Sequence, residues 1–555
     1  MPTLTWTGKE DALHAASLVP FRLLAPHTAA EGGIVGDPEA AQDNLLIQGD
    51  NLEALKALLP YYAGRVKCIY IDPPYNTGSA FEHYDDNLEH STWLSMMYPR
   101  LELLRELLSE DGSVWVNLDD NEGHYAKVML DEILGRSNFV ANIVWQKKYS
   151  KQNDTATLSI SHDHILCYSK RLDKWSPGKL TRSLDDGEKF KNPDDDPRGP
   201  WQSVVYTCPK TRKERPNLYY PIINPFTEKE VWPSETRVWG CDATQTARNI
   251  AEKRLWWGPK GDYDKPRRKV FLSELEDGIV ADTVWLRDDV GDNQDSKREI
   301  LGLFGDEGFA TPKPERLIKR ILEIATKPGD IVLDSFLGSG TTAAVAHKMG
   351  RQWIGIEMGD HAVTHCLPRL QKVIDGEQGG ISEAVGWKGG SGFRFVKLGE
   401  TLFDASGRLN PKVKFADLAA FVWWRETKAP AIGGAVKATS PFLGIHEGRG
   451  LYLLYNGILG DKRPKGGNVL TPAVLASLPK HDGPRVVYAE ATTYSPSSLA
   501  RMNITFKQIP YDLGSMPLLA EGALEYAAGL MPEAPQALAT SAARAARAGE
   551  EGDYV

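Results

Sequence analysis

Cysteine is scarce: the chain of 555 residues has five, Cys68, Cys167, Cys208, Cys241 and Cys366, widely scattered and with no Cys-x-x-Cys pair. That spacing excludes a disulfide framework or a thiolate zinc cluster and fits reduced thiols, so no metal is expected. Long apolar runs are missing, since none approaches the ~18 residues of a membrane span. The opening Met1-Pro2-Thr3-Leu4-Thr5-Trp6 has no basic region followed by an apolar one, so the expectation is a cytoplasmic protein without a membrane partner. A surplus of positive charge is also absent: Lys+Arg 65 against Asp+Glu 74 leaves a net −9, and any site for a polyanion must be local. No internal repeat with a period of roughly 20–50 residues is present.

What is there is an ordinary globular composition, 25% charged, 41% hydrophobic and 9% aromatic. At roughly 150 residues per domain the length predicts three to four domains. Short apolar runs at 44–48, 68–71, 113–118, 331–333 and 353–356 read as strands, and periodic stretches at 93–108, 126–134, 315–325 and 341–348 as helices. Alternation of this kind predicts a doubly wound α/β sheet. The strands fall in two blocks, so the reading is an N-terminal extension at 1–40, one half of the α/β domain at 41–150, an insert at 151–300, and the second half at 301–380. A linker at Gly389-Gly390-Ser391-Gly392 then leads to an α+β unit at 381–535 and a flexible tail at 536–555. The insert is rich in Trp, Tyr, Lys and Arg, with an acidic stretch at 194–196 that reads as solvated.

Two segments carry chemistry. In Ile69-Tyr70-Ile71-Asp72-Pro73-Pro74-Tyr75-Asn76 a strand delivers a carboxylate to its C-terminal edge and two prolines stiffen the turn that follows. An exocyclic amine on a base is a poor nucleophile because its lone pair is conjugated into the ring. Asp72 and the Pro73 carbonyl can accept both of its hydrogens, and Tyr75 offers a face for stacking. Taken alone, the tetrapeptide reads equally as a tight turn capped by Asp72. In Val332-Leu333-Asp334-Ser335-Phe336-Leu337-Gly338-Ser339-Gly340-Thr341 the glycines let the backbone approach a nucleoside, and Glu357, about 20 positions on, can accept ribose hydroxyls. No lysine precedes Thr341, which disfavours a nucleoside triphosphate.

Together these motifs resemble the S-adenosylmethionine-dependent DNA amino-methyltransferases, and Asp72 points to the adenine-N6 branch. The catalytic motif precedes the cofactor motif, as in the permuted beta class. The segments Leu46-Ile47-Gln48-Gly49-Asp50, Ser161-His162-Asp163-His164 and Thr311-Pro312-Lys313-Pro314 add to the likeness, and the whole is most similar to modification subunits of Type III restriction-modification systems. The resemblance implies a Rossmann-like methyltransferase domain with an inserted target recognition domain and a C-terminal assembly domain. Asp72, Pro73, Pro74 and Tyr75 would orient a flipped adenine. Asp334, Phe336, Gly338, Gly340, Thr341 and Glu357, with Asp50 and Lys313, would hold S-adenosyl-L-methionine, and no metal is required for the transfer. Implied partners are double-stranded DNA, a second copy in a homodimer, and a restriction (nuclease-helicase) subunit.

In the insert, basic residues among aromatics supply phosphate contacts and stacking faces, with His162, Arg212, Lys213, Arg215, Arg267 and Arg268, and Lys147 and Lys148 just before it, as candidates. The same pattern fits an aromatic core with a solvated basic face, and His162 and His164 read equally as satisfied hydrogen-bonding residues. Cytosine-C5 chemistry would need a thiol after a proline, and no Pro-Cys pair exists. A solitary methyltransferase, and a specificity or docking subunit with weak catalysis, stay open as alternatives.

Overall fold

The computed structural model describes residues 3–76, 89–150, 158–181, 189–275, 278–305, 309, 311–404, 406–431, 440–455, 458–460 and 467–513. The tail expected at 536–555 lies outside them. The chain divides into two compact units, 1–176 with 283–555, and 177–282. Among the described residues no helix is long and apolar enough to cross a membrane.

The larger unit is built on one sheet whose strands are β1 (Arg22–Pro26), β2 (Ile34–Gly36), β3 (Leu45–Gln48), β4 (Val66–Ile71), β5 (Leu108–Leu118) and β6 (Phe139–Gln146). The chain adds β7 (His162–Ser169), β8 (Val284–Trp285), β9 (Ile331–Asp334), β10 (Gln352–Glu357) and β11 (Gly392–Thr401). Their order is β1-β11-β3-β10-β9-β4-β5-β7-β6-β8, with β2 also on β11. From β11 through β5 neighbouring strands run parallel. Parallel strands are covered on both faces, which is why β4 and β9 read as nearly unbroken apolar runs. Helices α1 (Lys9–Leu18), α2 (Asn51–Tyr62), α3 (His90–Leu107) and α4 (Gly123–Leu130) belong to the N-terminal part. In α3 the buried Trp93, Leu94, Met97, Leu101 and Leu104 recur at helical spacing, and they share a core with Ile69, Val116 and Leu333 of the sheet. Each such side chain contributes about 1.5–3 kcal/mol through burial.

Three boundaries differ from the sequence reading. Residues 1–40, read as an N-terminal extension, pack onto the sheet: β1 pairs with β11, Lys9 bonds Glu132 at 2.7 Å and the Trp6 indole donates to Ser95 at 2.8 Å. The glycine-rich stretch at 389–392 does not separate a third domain. Gly392 opens β11, which hydrogen-bonds to β3 on one side and β1 and β2 on the other, with Phe393 and Phe395 fully buried. The separate unit is also shorter than 151–300, because β7 sits between β5 and β6 and β8 extends the sheet beyond β6. Beyond β11, the helix Phe415–Thr427 and a four-stranded sheet follow, whose Arg449–Leu453, Arg485–Ala489 and Ile504–Gln508 strands are parallel.

Unit 177–282 packs a three-stranded antiparallel sheet, two short ribbons and the helix Ala243–Ala251 around Tyr206, Ile222, Trp239, Leu255 and Trp257. The acidic stretch at 194–196 is not simply solvated. Asp196 is buried, bonded by Arg198 at 2.8 Å and by the buried Lys269 at 2.9 Å, and these contacts, Arg198 foremost, hold its carboxyl well below the usual range.

Candidate active site

The two chemical motifs meet at the carboxyl edge of the sheet. β4 and β9 are parallel neighbours, Cys68 opposite Val332 and Ile69 opposite Leu333. From β4 the chain goes on to β5 on one side, and from β9 to β10 on the other. Strand order reverses at this pair, and a crevice opens where the two directions part. Asp72 follows β4, Asp334 ends β9 and Glu357 ends β10.

At the β4 end polar groups are mutually satisfied. The Tyr75 hydroxyl donates to Asp72 Oδ1 at 2.9 Å, while the Lys313 ammonium binds Asp72 Oδ2. Tyr75 also lies 3.3 Å from Asp163 Oδ2 and accepts from the Asn117 amide. Burial first, then the Asp163 and Asp72 charges, push the Tyr75 hydroxyl well above its ordinary pKa, which keeps it a donor. Lys147 bonds Asp163 at 2.5 Å, and both ammonium groups lie near the Tyr75 ring, Lys147 at 5.7 Å and Lys313 at 5.2 Å from its centroid. The ring that the sequence offers as a stacking face thus has cations around it here. The Trp93 indole donates to the Pro74 carbonyl at 2.8 Å and pins the turn. No described residue donates to the Pro73 carbonyl, and the side chain of Asp72 is 20% exposed, so an incoming amine can reach this acceptor pair by displacing Lys313 or the Tyr75 hydroxyl from Asp72.

The β9 end is different. Asp334 is buried and accepts from the Phe336 backbone N–H at 2.9 Å and from the Thr342 hydroxyl at 2.6 Å. No Lys or Arg among the described residues pairs with it. Desolvation, helped by the Asp72 and Glu357 charges, pushes its pKa up to about 7 against the two hydrogen bonds. Next to it the buried Ser335 hydroxyl has no hydrogen-bond partner among the described residues. Glu357 Oε2 accepts from the Gly338 N–H at 2.7 Å. Gly338 (φ 56°) and Gly340 (φ 80°) hold left-handed backbone that favours glycine, and a Cβ at Gly338 would come within 3.4 Å of the Phe309 ring. A buried acid without a cation, an unused hydroxyl and a bare glycine turn fit a nucleoside-like ligand carrying hydrogen-bond donors and positive charge.

Other expected residues have structural partners. Asp50 caps α2 through Leu52 and Glu53 and pairs with Arg100 at 3.0 Å. Thr341 accepts from the buried Arg369 at 2.8 Å, and Arg369 bonds Glu315 at 3.0 Å, with Lys348 on the same carboxylate at 2.8 Å. This buried network supports the glycine loop from beneath. Lys147 faces inward toward Asp163, Lys148 is half-buried, and His162 stacks edge-on against His164. Arg212, Lys213, Arg215 and Arg268 are exposed, whereas Arg267 bonds Ser203. Asp163, Asn117, Trp93 and Arg369 were not singled out from sequence. Asp163, inside the motif-like 161–164 segment, and Asn117, inside the similarly motif-like 112–120 segment, left a signal there; Trp93 and Arg369 act through long-range contacts.

The family profile described as DNA methylase matches residues 66–367, more than half of the 555, and the chain belongs to that family. It is similar to a Haemophilus influenzae protein named as a probable type III restriction-modification enzyme HindVI Mod subunit, 34% identical over 68% of this chain and 57% of that one. It is likewise similar to the StyLTI Mod subunit of Salmonella typhimurium, 35% identical over 54% of this chain and 49% of the relative. The EcoPI Mod subunit of Escherichia phage P1 is 31% identical over 62% of this chain and 61% of its own length. The chain thus spans about half to three-fifths of the length of these curated relatives.

Proposed function

We propose that this protein transfers a methyl group from S-adenosyl-L-methionine to N6 of an adenine turned out of double-stranded DNA, as the modification and recognition subunit of a Type III restriction-modification system. Membership of the DNA methylase family and likeness to Mod subunits support the system. The observation that carries the chemistry is the meeting, across one strand-order reversal, of the Asp72-Pro73 acceptor pair with the unpaired, buried Asp334.

When bound, the cofactor supplies an electrophilic methyl on a sulfonium. Asp334, Ser335, Phe336, Gly338 and Glu357 are the residues suited to hold it. Asp72 and the Pro73 carbonyl accept the two N–H groups of the target amine, which localises the nitrogen lone pair for in-line attack. Asp72 would be the adjacent acceptor for the proton the target nitrogen sheds. Both Asp72 oxygens are engaged beforehand, so the amine replaces Lys313 or the Tyr75 hydroxyl there. Orientation and proximity supply most of the acceleration. In this reading unit 177–282 recognises the DNA, Arg212, Lys213, Arg215 and Arg268 are exposed candidates for its phosphates, and the region after β11 serves assembly, with a second copy and a restriction subunit as partners.

The test is to incubate the protein with genomic DNA and labelled S-adenosyl-L-methionine and to map modified bases at single-base resolution. N6-methyladenine on one strand of a recurrent asymmetric site is the expected result. Label on cytosine N4 would overturn the adenine assignment, and absence of cofactor binding would overturn the whole reading.

A further inference from the structure

One strand of the sheet presents different chemistry on its two faces. In β7 the buried Asp163 points to Tyr75 and Lys147, and successive strand residues alternate in direction, so His162 and His164 share the other face. β5 pairs antiparallel with β7, with Leu118 opposite His164. This register carries Asp120, two residues past the end of β5, alongside the histidines. Asp120 Oδ1 lies 2.9 Å from His164 Nε2, and the ligand atoms of Asp120, His162 and His164 all lie within 4.8 Å of one another. In the first turn of α4, His124 Nε2 lies 3.6 Å from the same Asp120 oxygen, and its ring centroid is 5.6 Å from that of His164. Three imidazoles and one carboxylate therefore converge from the β5–α4 turn, α4 and β7.

From this convergence we infer a zinc-class divalent metal site formed by Asp120, His162 and His164, with His124 as fourth ligand. Imidazole nitrogens favour late first-row ions over magnesium and calcium, which prefer all-oxygen shells. At metal–ligand distances of about 2.0–2.2 Å, tetrahedral donors sit roughly 3.3–3.6 Å apart, so side-chain torsions need to close Asp120, His162 and His164 by up to roughly 1.5 Å, with His124 swinging in over Asp120. Support for one ligand is already in place: the Asn142 amide lies 3.1 Å from His164 Nδ1, and a turn of that amide lets it accept from Nδ1–H, the usual orienting contact for a metal-bound imidazole. Such an ion ties the β5–α4 turn to β7 directly behind Asp163. In this assignment His162 is a metal ligand and not a DNA contact, and the site stands apart from the methyl-transfer reading.

The full-length protein, stripped with chelator, is titrated with Zn2+ by calorimetry and with Co2+ by visible absorption, alongside His162→Ala, His164→Gln and, as a surface control, His14→Ala. One equivalent of Zn2+ per chain, Co2+ bands of tetrahedral intensity, a metal-dependent rise in Tm, and affinity at least ~10-fold weaker in both site variants but unchanged in the control are expected. A misfolded variant would show itself by circular dichroism, and Asp120→Asn, on an exposed turn, then serves in its place. No saturable uptake, or uptake equal in wild type and site variants, overturns the proposal.

Discussion

Asp72 and Asp334 sit at the ends of adjacent parallel strands, yet their surroundings are opposite in kind. Asp72 has a cation and a hydroxyl on its two oxygens and is partly open, whereas Asp334 is enclosed, bonded among the described residues only by a backbone N–H and a hydroxyl, and shifted up to about 7. The difference teaches that a strand-terminal acid has no fixed role. An acid whose neighbours can be exchanged suits a group that comes and goes during reaction, while one left short of positive charge suits a ligand that brings it.

The sharpest way to test the contrast is Asp72→Ala, expected to lower methyl transfer by about 10³-fold or more while DNA binding stays within a few-fold. Transfer within tenfold of wild type would show that the open acid is dispensable. Arg369→Ala attacks the support beneath the other acid. It leaves the buried Glu315 with one cation fewer, and the expected loss is about 3–5 kcal/mol in urea unfolding. Asp334→Asn isolates the electrostatics. Because its pKa is raised in the folded state, that state holds a proton the unfolded chain has lost between about pH 4 and 7, so wild-type stability falls as pH rises through that window. The Asn variant should therefore match wild type near pH 4 and exceed it, on the order of a few kcal/mol, above pH 7 in thermal melts. Equal curves would mean that Asp334 is not strained by its burial. Smallest is Tyr75→Phe, which removes the donor to Asp72 but keeps the ring: a stability cost of about 1 kcal/mol is expected. Transfer should fall less than in Tyr75→Ala, where loss of base stacking costs about 1–3 kcal/mol more.

Much of this was legible in one dimension. Strand-acid-Pro-Pro and strand-acid-glycine-helix are local patterns, and α3 and the 315–325 helix follow from apolar spacing. The roles of Lys313 and Lys147 were not legible. Both looked like contacts for something outside the protein, and both turned onto carboxylates, Asp72 and Asp163, because a lysine beside a carboxylate in a partly dry site is held by it. Gly389 to Gly392 misled in the same way: local composition reads as linker, whereas the partners of β11 lie hundreds of residues earlier in β1 and β3.

The sequence by itself determined the elements, the two motifs and the family likeness, since these depend on period, turn chemistry and short spacing. Only the tertiary structure decided which acid is paired and which is left alone, that the first and last strands of the sheet's β1-β11 edge belong together, and that Asp120, His124, His162 and His164 share one place. Those outcomes are set by strand register and by the competition of buried charges for partners, and both link residues far apart in the chain.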